Sequence, residues 1–517
     1  MMRLLASLFL ALALHAQQPG PAALARLDTH VNIQSATVSL RTLRNTTKQS
    51  DAVKAEVDKL MKQGATYLAA GNTGETRRLI YHCLCLLGGK PWTPTTEYAQ
   101  ALLLRTETPI ADPSRRLIAH LDQIYPAEYQ AKTALRLHVT LHEPLPTPSG
   151  PHPGKLLRDA GTLEGLSRDL IDEPFSFDAD LAGAGEGPRV LAAELLDGDV
   201  SIRKLWIGIN IVSGMDARRT EIERHLDSIS GHPSTKATIL APFDLARMIN
   251  LGRRELTRID FAAEMRQSDE LLKALQESRD PLWQSAGSHK RHYQFEEAGE
   301  IMPYRVYVPK IYKPGAHLPL VIALHGLGGT EDTFLGRDGA QMATLAEQHG
   351  FIVAAPLGYR INGGYGSSIA RFTDPARKRS ADLSEKDVMN VLKLVSEEYT
   401  TDPNRTYLVG HSMGGGGTWY LGAKYAGKWA AIAPIAAPPV TLESDRLIAM
   451  PIMACHGDAD ATVPVQATRN MVARLKERGM SPTYVEVPGA SHGSVVAIVM
   501  PKIFDFFAQQ SRQERNR

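Results

Sequence analysis

The last third of this 517-residue chain alternates short apolar strands with amphipathic helices, and that alternation limits its fold more than any other feature. Strand-like runs are expected at 304–308, 318–324, 351–355, 406–409, 430–435, 452–455 and 483–487, with helical stretches between them. The run Leu320-Val321-Ile322-Ala323-Leu324 is apolar at every position, as a strand must be when helices cover both of its faces. In the helix expected over 385–399, Val388, Val391, Leu392, Val395 and Tyr399 share one stripe, with Ser384 as N-cap. The fold class is therefore α/β, a mostly parallel, doubly wound sheet.

Chemistry is written into the junctions of this pattern. Gly410-His411-Ser412-Met413-Gly414 fits G-x-S-x-G between the apolar run Tyr407-Leu408-Val409 and a helix. A sharp strand-to-helix turn strains the serine backbone, and only small neighbours let the chain pass so closely. Ser412 is the expected nucleophile. A serine hydroxyl needs a base to take its proton, and the base needs an acid to orient it. The acid loop follows the run 451–455: His456-Gly457-Asp458-Ala459-Asp460-Ala461-Thr462-Val463-Pro464 fits H-G-x-x-D-x-x-V-P and favours Asp460, with Asp458 as the alternative. The base is expected at His492, in the loop after 483–487. His411 and His456 belong to motifs of their own and are read as pointing elsewhere. His325-Gly326-Leu327-Gly328-Gly329 follows 318–324, and its glycines let N–H groups turn inward. The amides of Leu327 and Met413 are thus the expected oxyanion donors. The glycine loop lacks the G-x-x-x-x-G-K-[ST] form of a phosphate cradle.

At this point a resemblance is specific. Tyr304-Arg305-Val306-Tyr307-Val308-Pro309, then 318–326, then Ser412-Met413-Gly414-Gly415-Gly416-Gly417-Thr418-Trp419 and Ala430-Ala431-Ile432-Ala433-Pro434 resemble secreted polyhydroxybutyrate-depolymerase and feruloyl-esterase-like hydrolases. Catalytic domains of the prolyl-oligopeptidase type share these features. The resemblance covers roughly 293–507. It implies an α/β-hydrolase fold, Ser412, Asp460 and His492 as nucleophile, acid and base, and no cofactor. The loop 357–383 follows a strand where such enzymes shape their pockets; Tyr359, Arg360 and Tyr365 are candidate lining residues, with a plain surface loop as the alternative.

The rest of the chain falls outside the resemblance. Arg3 precedes an apolar run, 4–14, which gives way to Ala16-Gln17-Gln18-Pro19. Shorter than the ~20 residues of a membrane span, it has the length of a signal-peptide core. The expectation is a signal peptide over 1–16 and a secreted or periplasmic protein. Residues 20–130 read as a helical domain, with Ala52, Val53, Val57, Leu60, Met61 and Ala65 at helical spacing, a stop at Gly71-Asn72, and further helices at 76–87 and 115–124. Residues 131–214 read as a small β-rich domain, its strands at 134–142, 175–181, 190–196 and 202–212 interrupted by a proline-rich break at 144–153. Helical patterning returns over 215–285, with Thr220-x-x-Glu223 as a capping box. The boundary of the catalytic domain, 290–510, is placed at 283–290. Cys83 and Cys85 stand two apart on a helix, so their side chains diverge by about 200° and do not bridge. They are read, with the third cysteine Cys455, as buried thiols.

Composition narrows the partners. Lys plus Arg number 58 against 56 Asp plus Glu, a net +2, without the basic surplus of a nucleic-acid footprint. No later stretch is long and apolar enough to span a bilayer. The expected partner is an ester substrate, including polysaccharide-linked esters. Two other readings compete with a carboxylic-ester hydrolase. A serine peptidase of the prolyl-oligopeptidase type would use the same triad, but the N-terminal half shows no blade-length repeat. A non-catalytic binding protein would commonly have lost a triad member, and none is missing.

Overall fold

A computed structural model describes residues 31–512, apart from 148–149, 168, 255, 257–258, 337–339, 368–373, 441–446 and 448. The leader expected at 1–16 lies outside the described residues. Two compact units emerge, one ending at Ser228 and joined by Pro242–Glu270, the other made of Ile229–Ala241 and the chain from Leu271 onward.

The first unit opens with helices α1 (Val31–Thr46), α2 (Asp51–Ala69), α3 (Thr73–Leu87) and α4 (Pro94–Ala101). Ser50, Asn72 and Thr93 cap α2, α3 and α4, each side-chain oxygen accepting a backbone N–H of the first turn. The expectation fails after Ala101. Residues 102–106 and the stretch read as a helix at 115–124 are strands, β1 (Leu102–Thr106) and β3 (Leu117–Gln123), which pair antiparallel. Leu117, Ala119 and Leu121 occupy alternate positions, and that period of two decides the matter once a partner strand is present. A short β2 (Ile110–Ala111) lies between them.

The proline-rich break is also corrected. β4 (Leu135–Thr147) and β5 (Gly150–Leu163) form one long antiparallel arm, with Pro144 opposite Pro153 and Pro146 opposite Pro151. β5 is an edge strand, and the pairing of β4 with β7 (Gly187–Asp197) stops at His142. Beyond that residue β4 has no neighbour on its far side, so its prolines remove no ladder bond there. With β8 (Val200–Ile211) these strands make a five-stranded sheet, β2-β8-β7-β4-β5, while β1, β3 and β6 (Phe175–Ala179) form a second sheet of three. Helices α5 (Met215–Asp227), α6 (Pro233–Asn250) and α7 (Phe261–Gln276) follow as expected. The capping box does not form. Thr220 sits inside α5 and bonds back to the Asp216 carbonyl, and Gly214 takes the cap position.

The second unit carries an eight-stranded sheet. In space it runs β9 (Gly287–Phe295), β10 (Glu300–Val308), β12 (Ile352–Pro356), β11 (Leu320–Leu324), β13 (Thr406–His411), β14 (Ala431–Ile435), β15 (Met453–Gly457), β16 (Thr483–Val487). β10 is antiparallel to both neighbours, and from β12 onward every pairing is parallel. This strand order, with one crossed pair near the start, is that of the α/β-hydrolase fold. β9 enlarges the expected domain, because the segment read as its boundary already belongs to the sheet.

Alternate residues of one strand supply two separate cores. Leu320, Ile322 and Leu324 pack with Val388, Val391 and Val395 of α9 (Pro375–Tyr399), after α8 (Ala340–His349) on the opposite side. Val321 and Ala323 pack on that opposite side with Met342 and Leu345 of α8 and with Val495, Val499 and Phe504 of the closing helix, Ser494–Ala508. Each buried Val, Leu, Ile, Met or Phe among them contributes about 1.5–3 kcal/mol by leaving water. α9 begins ten residues before the expected start, capped by Asp374 with Pro375 in its first turn. Ser384 is therefore not a cap. It is buried within α9, and its hydroxyl accepts the backbone N–H of Tyr365 at 3.0 Å.

Candidate active site

Ser412 stands between β13 and α10 (Met413–Lys424) with φ 56° and ψ −116°. A non-glycine residue holds such angles only when its surroundings over-determine them. Here the Ser412 N–H donates to the Ile435 carbonyl at 2.9 Å, and both motif glycines are sterically required. A Cβ on Gly410 would strike the Gly414 carbonyl, and one on Gly414 would strike the Leu324 carbonyl. The turn presents the hydroxyl at the carboxyl edge of the sheet, at the N-terminus of a twelve-residue helix.

His492 reaches that hydroxyl from the loop after β16. Its Nε2 lies 2.9 Å from Ser412 Oγ, and its Nδ1 lies 2.6 Å from Asp460 Oδ2. Three distant stretches of sequence thus meet in the expected order. The Nδ1 contact requires that nitrogen to carry a proton, which leaves Nε2 free to accept from the serine. Asp460 Oδ1 accepts the N–H groups of Thr462 and Val463, both at 2.8 Å, and its side chain is fully buried. Burial alone would raise this carboxyl. The hydrogen bonds from His456 and His492 and the Val463 N–H outweigh it and hold the group well below the usual carboxylate range. Asp458 is exposed and accepts the Gly489 N–H at 2.6 Å, so it ties the acid loop to the base loop and touches neither imidazole.

The glycine loop lies against the serine. A Cβ on Gly326 would come within 3.3 Å of Ser412 Cβ and of His411 Nδ1. The Gly329 N–H donates to the Gly326 carbonyl at 3.0 Å, with Gly328 at φ 80°, closing a type II turn in which the Leu327 N–H takes no part. Met413 opens α10, so its N–H is one of those that have no acceptor within the helix.

Two histidines read as pointing elsewhere do not. His411 Nε2 donates to the His492 carbonyl at 2.8 Å, and the two rings are 4.7 Å apart. His456 Nε2 lies 3.2 Å from Asp460 Oδ2. In the sequence each belongs to a motif of its own, and only the convergence of loops brings His411 against His492 and His456 against Asp460. The candidate lining residues are also reassigned. Tyr365 is fully buried, its hydroxyl donating to the His325 carbonyl at 3.2 Å, and Arg360 pairs with the buried Glu300 at 2.7 Å while stacking on Tyr359. These three brace the loop. Residues 368–373 of that loop lie outside the described residues. Cys83, Cys85 and Cys455 are buried and unbridged. Among the described residues no group of three or more His, Cys, Asp or Glu is placed to hold a metal ion, and no helix is long and apolar enough to cross a membrane.

Known proteins resemble this region. A bifunctional acetylxylan esterase/xylanase of Neocallimastix patriciarum is 27% identical over 190 residues, 37% of this chain and 26% of that protein. The S-formylglutathione hydrolase of Mus musculus is 31% identical over 153 residues, 26% of this chain and 53% of that one. A solved ferulic acid esterase of Anaeromyces mucronatus aligns with a TM-score of 0.36 at 20% identity, over 43% of this chain and 90% of that one. The chain spans about half the length, or less, of these curated relatives. The family match falls on the triad-bearing unit: residues 296–511 fit the model of the esterase family, described as putative esterase.

Proposed function

We propose that the C-terminal unit hydrolyses carboxylic esters through an acyl-enzyme on Ser412. The observation that carries this reading is the 2.9 Å contact between Ser412 Oγ and His492 Nε2, made at a strained turn beside a glycine loop. His492 Nε2 takes the hydroxyl proton as Oγ attacks the ester carbonyl carbon, and Asp460 stabilises the imidazolium that forms. The tetrahedral oxyanion is held by the Leu327 and Met413 N–H groups. Collapse breaks the acyl–oxygen bond, and the alcohol leaves with the proton from His492. Water then repeats the sequence on the acyl-enzyme, releasing the acid and restoring Ser412.

The esterase family match and the similarity to an acetylxylan esterase support esters of small acyl groups, including acyl groups carried on polysaccharide. The same chemistry extends to thioesters. The apolar run near the N-terminus supports export as part of this proposal, and N-terminal sequencing of the mature protein tests it.

Activity on p-nitrophenyl acetate, a feruloyl ester, an acyl thioester and a prolyl-peptide amide tests the reading directly. Ser412→Ala is expected to lower turnover by about 10⁶ and Asp460→Asn by about 10⁴, the sizes seen when a triad acts as a unit. Asp458→Asn should change it little, since an amide oxygen still accepts the Gly489 N–H. A preference for the amide would make the enzyme a peptidase. Full activity in Ser412→Ala would remove the serine from the chemistry.

A further inference from the structure

The carboxylate of Asp460 has four donors, two backbone groups on one oxygen and two imidazoles on the other. Oδ1 takes two backbone N–H groups, whereas Oδ2, the oxygen that receives His492, is also within 3.2 Å of His456 Nε2. His456 is itself fully buried. Its Nε2 faces a second acceptor, the Val463 carbonyl at 3.0 Å, so that nitrogen carries the proton. Its Nδ1 lies 2.7 Å from Thr468 Oγ1 on α11 (Gln466–Glu477), and in neutral imidazole it accepts the threonine hydroxyl proton. One hydrogen-bonded series thus runs from the Thr468 hydroxyl through His456 to Asp460, where it meets His492 and Ser412.

We infer that His456 is a positioning residue: held in one tautomer by Thr468, it fixes Asp460 Oδ2 at the place from which that oxygen orients His492. The physical reason is rotational. Two backbone donors on Oδ1 leave the carboxylate able to swing about its Cβ–Cγ bond, and a third donor from a different direction removes that freedom. A short acid–base contact of 2.6 Å needs an oxygen that does not move. The inference rests on the triad reading above.

The test uses the full chain and a double-mutant cycle. His456→Leu is expected to lower kcat roughly 10- to 100-fold, the size of a lost hydrogen bond to a charged group, with KM unchanged. His456→Gln, whose amide N–H replaces Nε2–H, should recover most of that loss. In the Asp460→Asn background His456→Leu should cause no further fall, because a residue acting only through the acid has nothing left to orient. Thr468→Val should lower kcat by about 2- to 10-fold, as loss of one neutral hydrogen bond would. Circular dichroism and thermal midpoints check folding; if His456→Leu does not fold, the Gln and Val variants decide. Wild-type kcat in a folded His456→Leu or in Thr468→Val would overturn the inference, as would full additivity with Asp460→Asn or a His456→Gln as slow as His456→Leu. Ser412→Ala run in parallel separates the two: its retained activity would sink the triad reading and the inference with it, whereas its loss beside wild-type kcat in a folded His456→Leu would sink the inference alone.

Discussion

At the scale of residues, three side chains and two amides carry the proposed chemistry, and their requirements differ. Ser412, His492 and Asp460 were legible because each sits in a short motif after its own strand, and strand order fixes which motif plays which part. Between Asp460 and Asp458, it is the carboxylate of Asp460 that lies 2.6 Å from His492 Nδ1. The oxyanion donors call for a different experiment, since side-chain replacement leaves a backbone N–H in place. Leu327 occupies the second position of a type II turn, where proline is well tolerated. Leu327→Pro therefore deletes the N–H while keeping the turn. Turnover is expected to fall by about 10²–10³ with the thermal midpoint little changed, measured on the same esters as the wild type. An unchanged kcat would dismiss Leu327 as a donor.

At the scale of elements, the parallel strands were readable because burial on both faces makes them apolar throughout. Their edges were harder. β9 carries Ser288, His289, Lys290, Arg291 and His292 in succession, and nothing so polar announces a strand. It is held by pairing with β10 and by Arg291, whose fully buried guanidinium meets Glu398 of α9 at 2.8 Å and the Leu282 carbonyl at 2.8 Å. Breaking a buried pair by removing one partner leaves a charge without compensation. Glu398→Ala is expected to destabilise this unit by about 3–5 kcal/mol, read from chemical unfolding. A change below about 1 kcal/mol would mean that the pair is effectively solvated. The strands β1 and β3, read as helix, show the same limit. Their short alternation is decided by a partner strand that a linear reading does not supply.

At the scale of the whole molecule, the buried groups around the triad set how stability responds to acid. Burial first, and His492 second, push His411 down to about 4 from an ordinary value of 6.5. As pH falls the unfolded chain therefore takes up this proton before the folded one does, and stability declines between about 6.5 and 4. Asp460, held below the usual carboxylate range, acts in the same direction at lower pH, because its stabilisation is lost only as it becomes protonated. The urea midpoint, followed through the buried Trp419 and Trp429, should drop across this window. His411→Gln, which keeps a donor for the His492 carbonyl but does not titrate, should flatten the slope between about pH 6.5 and 4. Superimposable slopes for the two proteins would contradict the assignment.

The sequence by itself determined the doubly wound sheet of the C-terminal unit and the three residues of the proposed triad, because periodicity and strand-end motifs are local properties of the chain. Tertiary structure alone decided what His411 and His456 touch, how Tyr359, Arg360 and Tyr365 brace their loop, and where the N-terminal strands lie. Each of those outcomes depends on which partner a side chain or strand meets across dozens of residues. A hydrogen-bond donor in a linear sequence does not name its acceptor until the loops have converged.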